Sequence, residues 1–525
     1  MLQTSTLPFG WSNNKWSLIL ANIVAGILFI VLSHTGVLPI EPVNFFFFSF
    51  LGLLFSLYRP GWTFLLLIGM LPYEIINIAP QGISFVLRPY QWLLVFLLIS
   101  LGIRFVLRRF PLEKLSLTWF DASLIVFTLA SLLSAILSDG KIVALKLSLI
   151  LFSFLLLYFV TRLFVRSIED VKMILPFLFS SFIVVAFFAL IQNILFISGK
   201  ESYEVMAGRP NAVFAEADWI GFYIACIIVL FSSLLLYCKE NRVFRMFISG
   251  SLILGYSVLL ITVSRSAWLA TVGGMMTLFL TLFFRENIWQ ALKEKNTTAL
   301  IRSFSLKASL VVPFFIAIIG VSLFSLSPFD LLDRTKSTAT GEQKITVSCE
   351  EESTLSLLPE RIQTIDELSS FHCKHILLEE IDTERVLGRF VSTVYRNDPN
   401  VHIRKDIYIQ VKNILKEHPF FGIGFGNIAS FLGNDGRGAG LNASNIFLEI
   451  WLGSGIVGLC AFLFFWLGTA LHILVRIIRK RSLEDSILLS LWVTITIFNF
   501  FNSGLFLGFF FVFLACLMLT FYDHE

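Results

Sequence analysis

The sequence predicts an all-α, polytopic helical membrane protein with about 12–14 transmembrane helices, on three observations. Hydrophobic residues make up 56% of the 525-residue chain and charged residues 14%, where a soluble protein carries about 25% charged. The mean hydropathy is +0.82, and the 57 phenylalanines exceed what one water-soluble core can bury. Apolar runs recur at near-regular intervals and reach the roughly 20 residues that cross about 30 Å of hydrocarbon as helix. They lack the alternation of barrel strands.

The N-terminal stretch MLQTSTLPFGWSNNKWS has no basic n-region and no small-residue cleavage site, so the first apolar run reads as a retained helix at 16–33. Charges and turn residues then bound runs at 42–58, 61–79, 89–107, 120–138, 143–161, 172–197, 217–237, 246–263, 266–284 and 308–326. Three more follow at 445–475, 485–503 and 505–522. Basic residues concentrate in alternate connections, as around Arg104, Arg108 and Arg109, around Arg162 and Arg166, and around Arg476, Arg479 and Lys480. The positive-inside bias therefore predicts cytoplasmic N and C termini.

One connection is long. The chain divides into a membrane region at 1–326, an extracytoplasmic loop at 327–444 and C-terminal membrane helices at 445–525. Within the loop, 327–400 is acidic and of mixed polarity, which predicts a variable insertion with partial order at best. The segment 401–444 opens with HIRKDIYIQVKNILKEHPF, whose Ile407, Ile409, Val411, Ile414 and Leu415 predict an uneven apolar helix face, and runs into the Gly-rich GIGFGN. Cys349 and Cys373 both fall in the loop; an oxidising compartment would permit a disulfide, while His372 and His375 beside Cys373 leave a zinc site as the alternative, without a second ligand pair. The remaining cysteines read as packing residues.

Composition also excludes chemistry. The net charge of +4 is small and dispersed, so no nucleic-acid partner is expected. No phosphate-cradling glycine loop, metal-binding cluster or nucleophile elbow stands in a plausible setting; no cofactor is predicted. Outer-face charge is scarce, and Arg265 in TVSRSAWLA and Arg404 at the start of the amphipathic segment stand out. Each reads either as a snorkelling or solvated side chain or as a planar fork for phosphate oxygens. Arg209 in GRPNAVFAEADW is followed by Glu216 and Asp218, so a salt bridge competes with a binding role. Ser444 and Asn445 open the helix LNASNIFLEIWLGSGIVGL, where Asn442 or Ser444 is positioned to cap and Gly453, Gly455 and Gly458 suit close helix contacts. Glu449, one turn inside that helix, is an intramembrane carboxylate and a functional hint. Glu74 and Arg88 flank a short hairpin without choosing between packing and function.

The order SRSAW, long outer loop, Arg404-Lys-x-Ile-Tyr, EHPFFGIGFGN and Ser-Asn followed by Gly455 resembles the O-antigen ligase and O-antigen polymerase superfamily over roughly residues 200–470. The resemblance implies a fold related to the C-type glycosyltransferases and a metal-independent glycosyltransferase. Such enzymes take a glycan from undecaprenyl pyrophosphate at the outer face of the bacterial cytoplasmic membrane and pass it to a glycan or lipid acceptor. By position Arg265 and Arg404 match the family arginines thought to hold pyrophosphate, with Arg209 a further match. Glu216 and Asn445 are carried as substrate-binding candidates, and Ser444 and Glu449 as catalytic ones. Ligases of the family place a histidine where this chain has Ser444, and a serine hydroxyl is a poor general base. Glu449, His402 or His418 is left to assist, with His418 also reading as part of a structural HP-x-x-G turn. A multi-pass transporter and a non-catalytic assembly scaffold are the competing classes.

Overall fold

The computed structural model describes residues 14–82, 85–108, 116–237, 242–285, 297–329, 331, 341–376, 378–397, 399–434 and 440–521. Nine of the described helices are long and apolar enough to cross a membrane. The chain opens with α1 (Asn14–His34), α2 (Pro42–Tyr58), α3 (Pro60–Met70), α4 (Pro89–Val106), α5 (Trp119–Leu137), α6 (Lys141–Phe164), α7 (Ile168–Ile197), α8 (Ala217–Tyr237), α9 (Arg242–Ile261), α10 (Arg265–Arg285) and α11 (Thr297–Leu323). After the loop come α16 (Ile446–Lys480), α17 (Leu483–Asn499) and α18 (Gly508–Leu517).

Two membrane segments differ from the expected runs. The helix expected at 61–79 stops at Met70. Pro72 lacks an N–H and disfavours helix in the residue before it, and the described residues at 71–82 and 85–88 are irregular backbone. That backbone is buried: Leu71, Tyr73, Ile76 and Ala79 are almost fully enclosed. The Glu74 and Ile75 N–H groups both donate to the Val213 carbonyl at 3.0 Å. Non-helical backbone at membrane depth is stable only where protein satisfies it in this way. The last hairpin is likewise shorter than its apolar run, because residues 500–507 form a turn between α17 and α18 that includes one 3-10 turn, Gly504–Phe506.

The far end of the bundle is closed by buried ion pairs. Arg162 meets Asp121, which also accepts the Tyr158 hydroxyl at 2.6 Å. Arg476 pairs with Asp485 at 3.1 Å and donates to the Thr520 carbonyl at 2.6 Å. Basic residues counted as loop charge in the sequence thus hold helix ends together.

The loop is more ordered than its composition predicts. A four-stranded sheet, in the order β2-β4-β1-β3, is built from β1 (Glu342–Cys349), β2 (Arg361–Ile362), β3 (Cys373–His375) and β4 (Phe390–Asn397). Two short helices accompany it, α12 (Glu352–Leu357) and α13 (Ile381–Val386). Ile345, Val347, Ile362, Leu368 and Val394 form its small core. Cys349 and Cys373 stand opposite each other in the β1–β3 register and are joined as a disulfide, so the cysteines bond each other rather than a metal. The expectation of partial order fails because β1 and β4, with Ile345, Thr346 and Val347 opposite Val394, Thr393 and Ser392, pair over eight positions, and the cross-link restricts the unfolded chain. The amphipathic segment is α14 (Pro399–Glu417), followed by the short α15 (Ile428–Leu432). Ile407, Val411, Ile414 and Leu415 are buried at helical spacing, whereas Ile409 falls on the opposite side and is exposed.

Candidate functional site

The site is assembled around the turn 500–502. The Arg404 guanidinium, near the start of α14, donates to the Phe501 carbonyl at 3.2 Å and lies over the Phe501 ring at 5.6 Å. Asn502 donates through Nδ2 to Ser266 Oγ at 2.8 Å, which ties the turn to the start of α10 next to Arg265. Asn445 donates through Nδ2 to the Phe500 carbonyl at 3.2 Å. Three consecutive residues of one turn therefore bind the three elements that bear Arg404, Arg265 and Asn445. Arg265 is the first residue of α10 and half-buried.

Arg209 joins through the neighbouring connection. Its Nε donates to the Thr262 carbonyl at 3.0 Å, three residues before Arg265, and its guanidinium pairs with Asp218 at 3.1 Å. The salt bridge anticipated for Arg209 thus runs to Asp218. Glu216 is exposed immediately before α8, and its carbonyl accepts the Trp219 N–H at 3.2 Å. Glu74 and Arg88, undecided in the sequence, form an ion pair of 2.9 Å at the same end. Arg88 reaches the Phe506 carbonyl at 3.4 Å, and Glu74 accepts the Gly508 N–H at 3.0 Å. This pair, with Glu74 buried and Arg88 half-buried, anchors the other side of the 500–507 turn.

The start of α16 differs in detail from its expected form. The cap is Asn445, not Asn442 or Ser444: its Oδ1 accepts the Phe447 and Leu448 N–H groups at 2.9 and 3.2 Å. Asn442 instead accepts the Ser444 N–H at 2.8 Å, and Ser444 takes a left-handed backbone with φ 49°. Asn445 itself is extended, the conformation a capping residue needs. Glu449, one turn further and therefore on the same helix face as Asn445, is buried.

Gly455 explains how the Gly-rich turn reaches this helix. It has φ 69° inside α16 and breaks it. The helical bond between the Ile456 N–H and the Leu452 carbonyl is replaced by two others. Ile456 donates to the Pro419 carbonyl at 3.2 Å, and the Leu452 carbonyl accepts the Ile423 N–H at 2.7 Å. A Cβ at Gly455 would meet the Phe420 carbonyl oxygen. The turn 419–423 is thus inserted into the helix break. His418 takes the turn role: its carbonyl accepts the Gly422 N–H at 3.1 Å. His402 lies in the first turn of α14, and its side chain falls outside the described residues.

Residues 249–463 match the family model described as O-antigen ligase. That stretch of the chain is similar to the O-antigen ligase family. No curated protein matches the chain. The O-antigen ligase match covers less than half of the sequence and includes Arg265, Arg404, Ser444, Asn445 and Glu449. Arg209, Glu216 and the 500–507 turn lie outside it. Together with the nine apolar helices among the described residues, this similarity supports a multi-pass membrane protein of polysaccharide assembly. Among the described residues a large apolar cleft of about 1,210 Å³ between α7, α8, α9, α17 and α18 contains none of these candidate residues and has Arg166 and Arg476 in its lining.

Proposed function

We propose that the protein transfers or polymerises a glycan carried on undecaprenyl pyrophosphate, at the outer face of the bacterial cytoplasmic membrane. The observation that supports this reading is the meeting of Arg404, the Arg265 helix start and Asn445 on one three-residue turn. Two arginines at one membrane-proximal site match the charge that leaves. As the anomeric carbon is attacked, the bond to the pyrophosphate oxygen breaks and negative charge grows on the leaving group. Fixed guanidinium groups in a low-dielectric setting stabilise that charge without reorganising. The displacement inverts the anomeric centre. Arg209 extends the positive surface from the adjacent loop, with Glu216 at its exposed rim. Ser444 and Asn445 border the acceptor side at the start of α16.

The orientation proposed, with both termini cytoplasmic and the loop outside, is supported by the bias of Lys and Arg toward alternate connections. It is also supported by the Cys349–Cys373 bond, since disulfides persist in oxidising compartments.

The test is the lipid-linked glycan profile of the native host after deletion of the gene, complemented by wild type or by Arg265→Ala with Arg404→Ala. Build-up of full-length lipid-linked polymer that only wild type relieves marks a ligase; build-up of single repeat units marks a polymerase. An unchanged profile, or full rescue by the double variant, sinks the catalytic reading in favour of transport or scaffolding.

A further inference from the structure

The four-stranded sheet of the loop spends one face on its core, through Ile345, Val347, Ile362 and Val394. Side chains alternate along a strand, so Glu342, Lys344 and Ser348 of β1 share the other face with Thr393, Tyr395 and Asn397 of β4. One half of that face is covered: Glu384 of α13 accepts from the Ser348 hydroxyl and from the Lys374 ammonium, each at 2.8 Å. The half at the opposite end of β1 and β4 is open, and the ring of Tyr395, 37% exposed, stands at its centre.

Polar groups held in place frame that ring. Lys344 of β1 and Arg361 of β2 stand beside Tyr395 on its two sides in the register, and Glu342 stands opposite Asn397 one step along the same face. Arg361 ties the frame together: its guanidinium pairs with Glu342 at 2.8 Å and donates to Asn397 Oδ1 at 3.3 Å. An open aromatic face beside a fixed guanidinium, carboxylate and amide suits a sugar. The C–H groups on one side of a pyranose make that side apolar and stack on an aromatic ring. Its vicinal hydroxyls donate and accept, so they match a carboxylate and a planar fork at once. A lipid surface would call for several apolar side chains, and the open half presents a single ring. Its position fits a glycan too. β4 ends at Asn397 and α14 begins at Pro399, so the open half lies at the end of β4 that leads into the helix bearing Arg404.

We propose that the open half of the sheet, centred on Tyr395, is a binding platform for the outer sugars of the glycan chain that the protein handles. The inference rests on the glycosyl-transfer reading above. Tyr395 stacks on the apolar side of one sugar ring, and Arg361, Glu342 and Asn397 take the hydroxyls of that sugar or its neighbour. No covalent bond is made or broken there. A lipid-linked glycan would then be held at two points, its pyrophosphate by the arginines and its sugars by the sheet. Two attachments on one chain raise the effective concentration of each for the other, so the platform favours long chains over single repeat units.

The test titrates the full chain in nanodiscs with oligosaccharides cut from the native host's surface polysaccharide by mild acid, so that neither lipid nor pyrophosphate contributes to binding. Wild type is expected to bind. Tyr395→Ala should weaken binding by about tenfold or more, and Tyr395→Phe, which keeps the ring, should stay within about threefold of wild type. Arg361→Ala should weaken it by about three- to tenfold. Protease resistance of the sheet reports whether each variant folds. If Tyr395→Ala does not, an unchanged affinity in Arg361→Ala overturns the inference and a weakened one supports it. Absence of binding by wild type, or equal affinity in a folded Tyr395→Ala, overturns it. So does a loss confined to attachment of Tyr395→Ala to protein-free vesicles, which would make the face a membrane contact. Arg265→Ala with Arg404→Ala is titrated in parallel and assayed in the deletion host. Transfer retained by that double variant defeats the glycosyl-transfer reading, whereas transfer lost beside undiminished binding in Tyr395→Ala defeats only the platform.

Discussion

Asn445 serves two neighbours with one side chain. Its Oδ1 caps α16, and its Nδ2 holds the Phe500 carbonyl. Asn445→Asp keeps the cap and loses the donor, whereas Asn445→Ala loses both. We predict that Asn445→Ala lowers stability by about 1–2 kcal/mol, and that Asn445→Asp retains most of the melting temperature yet loses transfer activity through the displaced turn. Thermal unfolding in detergent, read beside activity, separates the two effects; equal melting losses in both variants would remove the positioning role. Arg265 and Arg404 were legible in the sequence because charge is scarce in this chain, so each outer arginine stands out. Phe500, Phe501 and Asn502 were not. Two of them act through backbone carbonyls, which every residue possesses, and a Phe at the end of an apolar run looks like any other. Ser444 and Asn445 were legible as a helix start but not as to which one caps, since both are good capping residues and only the backbone angles decide.

At the scale of elements, the periodic apolar helices followed the sequence closely and the irregular pieces did not. The short α3 follows from Pro72, whose breaking effect competes with an otherwise continuous apolar run. The break in α16 follows from Gly455, which the sequence presents only as a small residue suited to close packing. Gly455→Ala must adopt a left-handed backbone and push against the Phe420 carbonyl. We predict a loss of at least about 1–3 kcal/mol with release of the 419–423 turn, measurable as a lower melting temperature and new proteolysis near Phe420. A variant as stable as wild type would show that the break is not needed.

The sheet makes two further predictions. Cys349→Ser with Cys373→Ser frees a 24-residue separation and should cost about 3 kcal/mol of the loop's local stability, seen as faster protease cleavage between Glu342 and Asn397. Glu384 is held by Lys374, Ser348 and Arg389, and the hydrogen bond from Lys374, followed by that from Ser348, pulls its carboxyl from 4.5 down to about 2. A depressed folded-state pKa contributes stability that is present above the unfolded value and lost as pH falls through the folded one. Protease resistance of the sheet should therefore fall between about pH 4.5 and 2, and Glu384→Gln should flatten that dependence. A fall of equal size in the variant would assign it to other groups.

For the molecule as a whole, the two ends are built differently. The far end is closed by ion pairs, Arg162 with Asp121 and Arg476 with Asp485. The site end is held largely by side chains reaching backbone carbonyls of one turn. The membrane class was legible from composition alone, because 56% hydrophobic content leaves no other helical solution. The ordering of the long loop was not, since its pairing depends on strands separated by some forty residues that single-sequence polarity does not connect. The 500–507 turn constrains how this enzyme can be altered by recombination. The stretch with the family signature ends at Leu463 of this chain, while the carbonyls that seat Arg404 and Asn445 are encoded after it. A chimaera that receives only the signature segment from a relative would inherit the arginines and leave behind the surface on which they rest. Specificity and catalytic geometry would then have to travel as two separate pieces of gene, and exchanges that join them only by the recognisable half should yield membrane-inserted but inactive proteins.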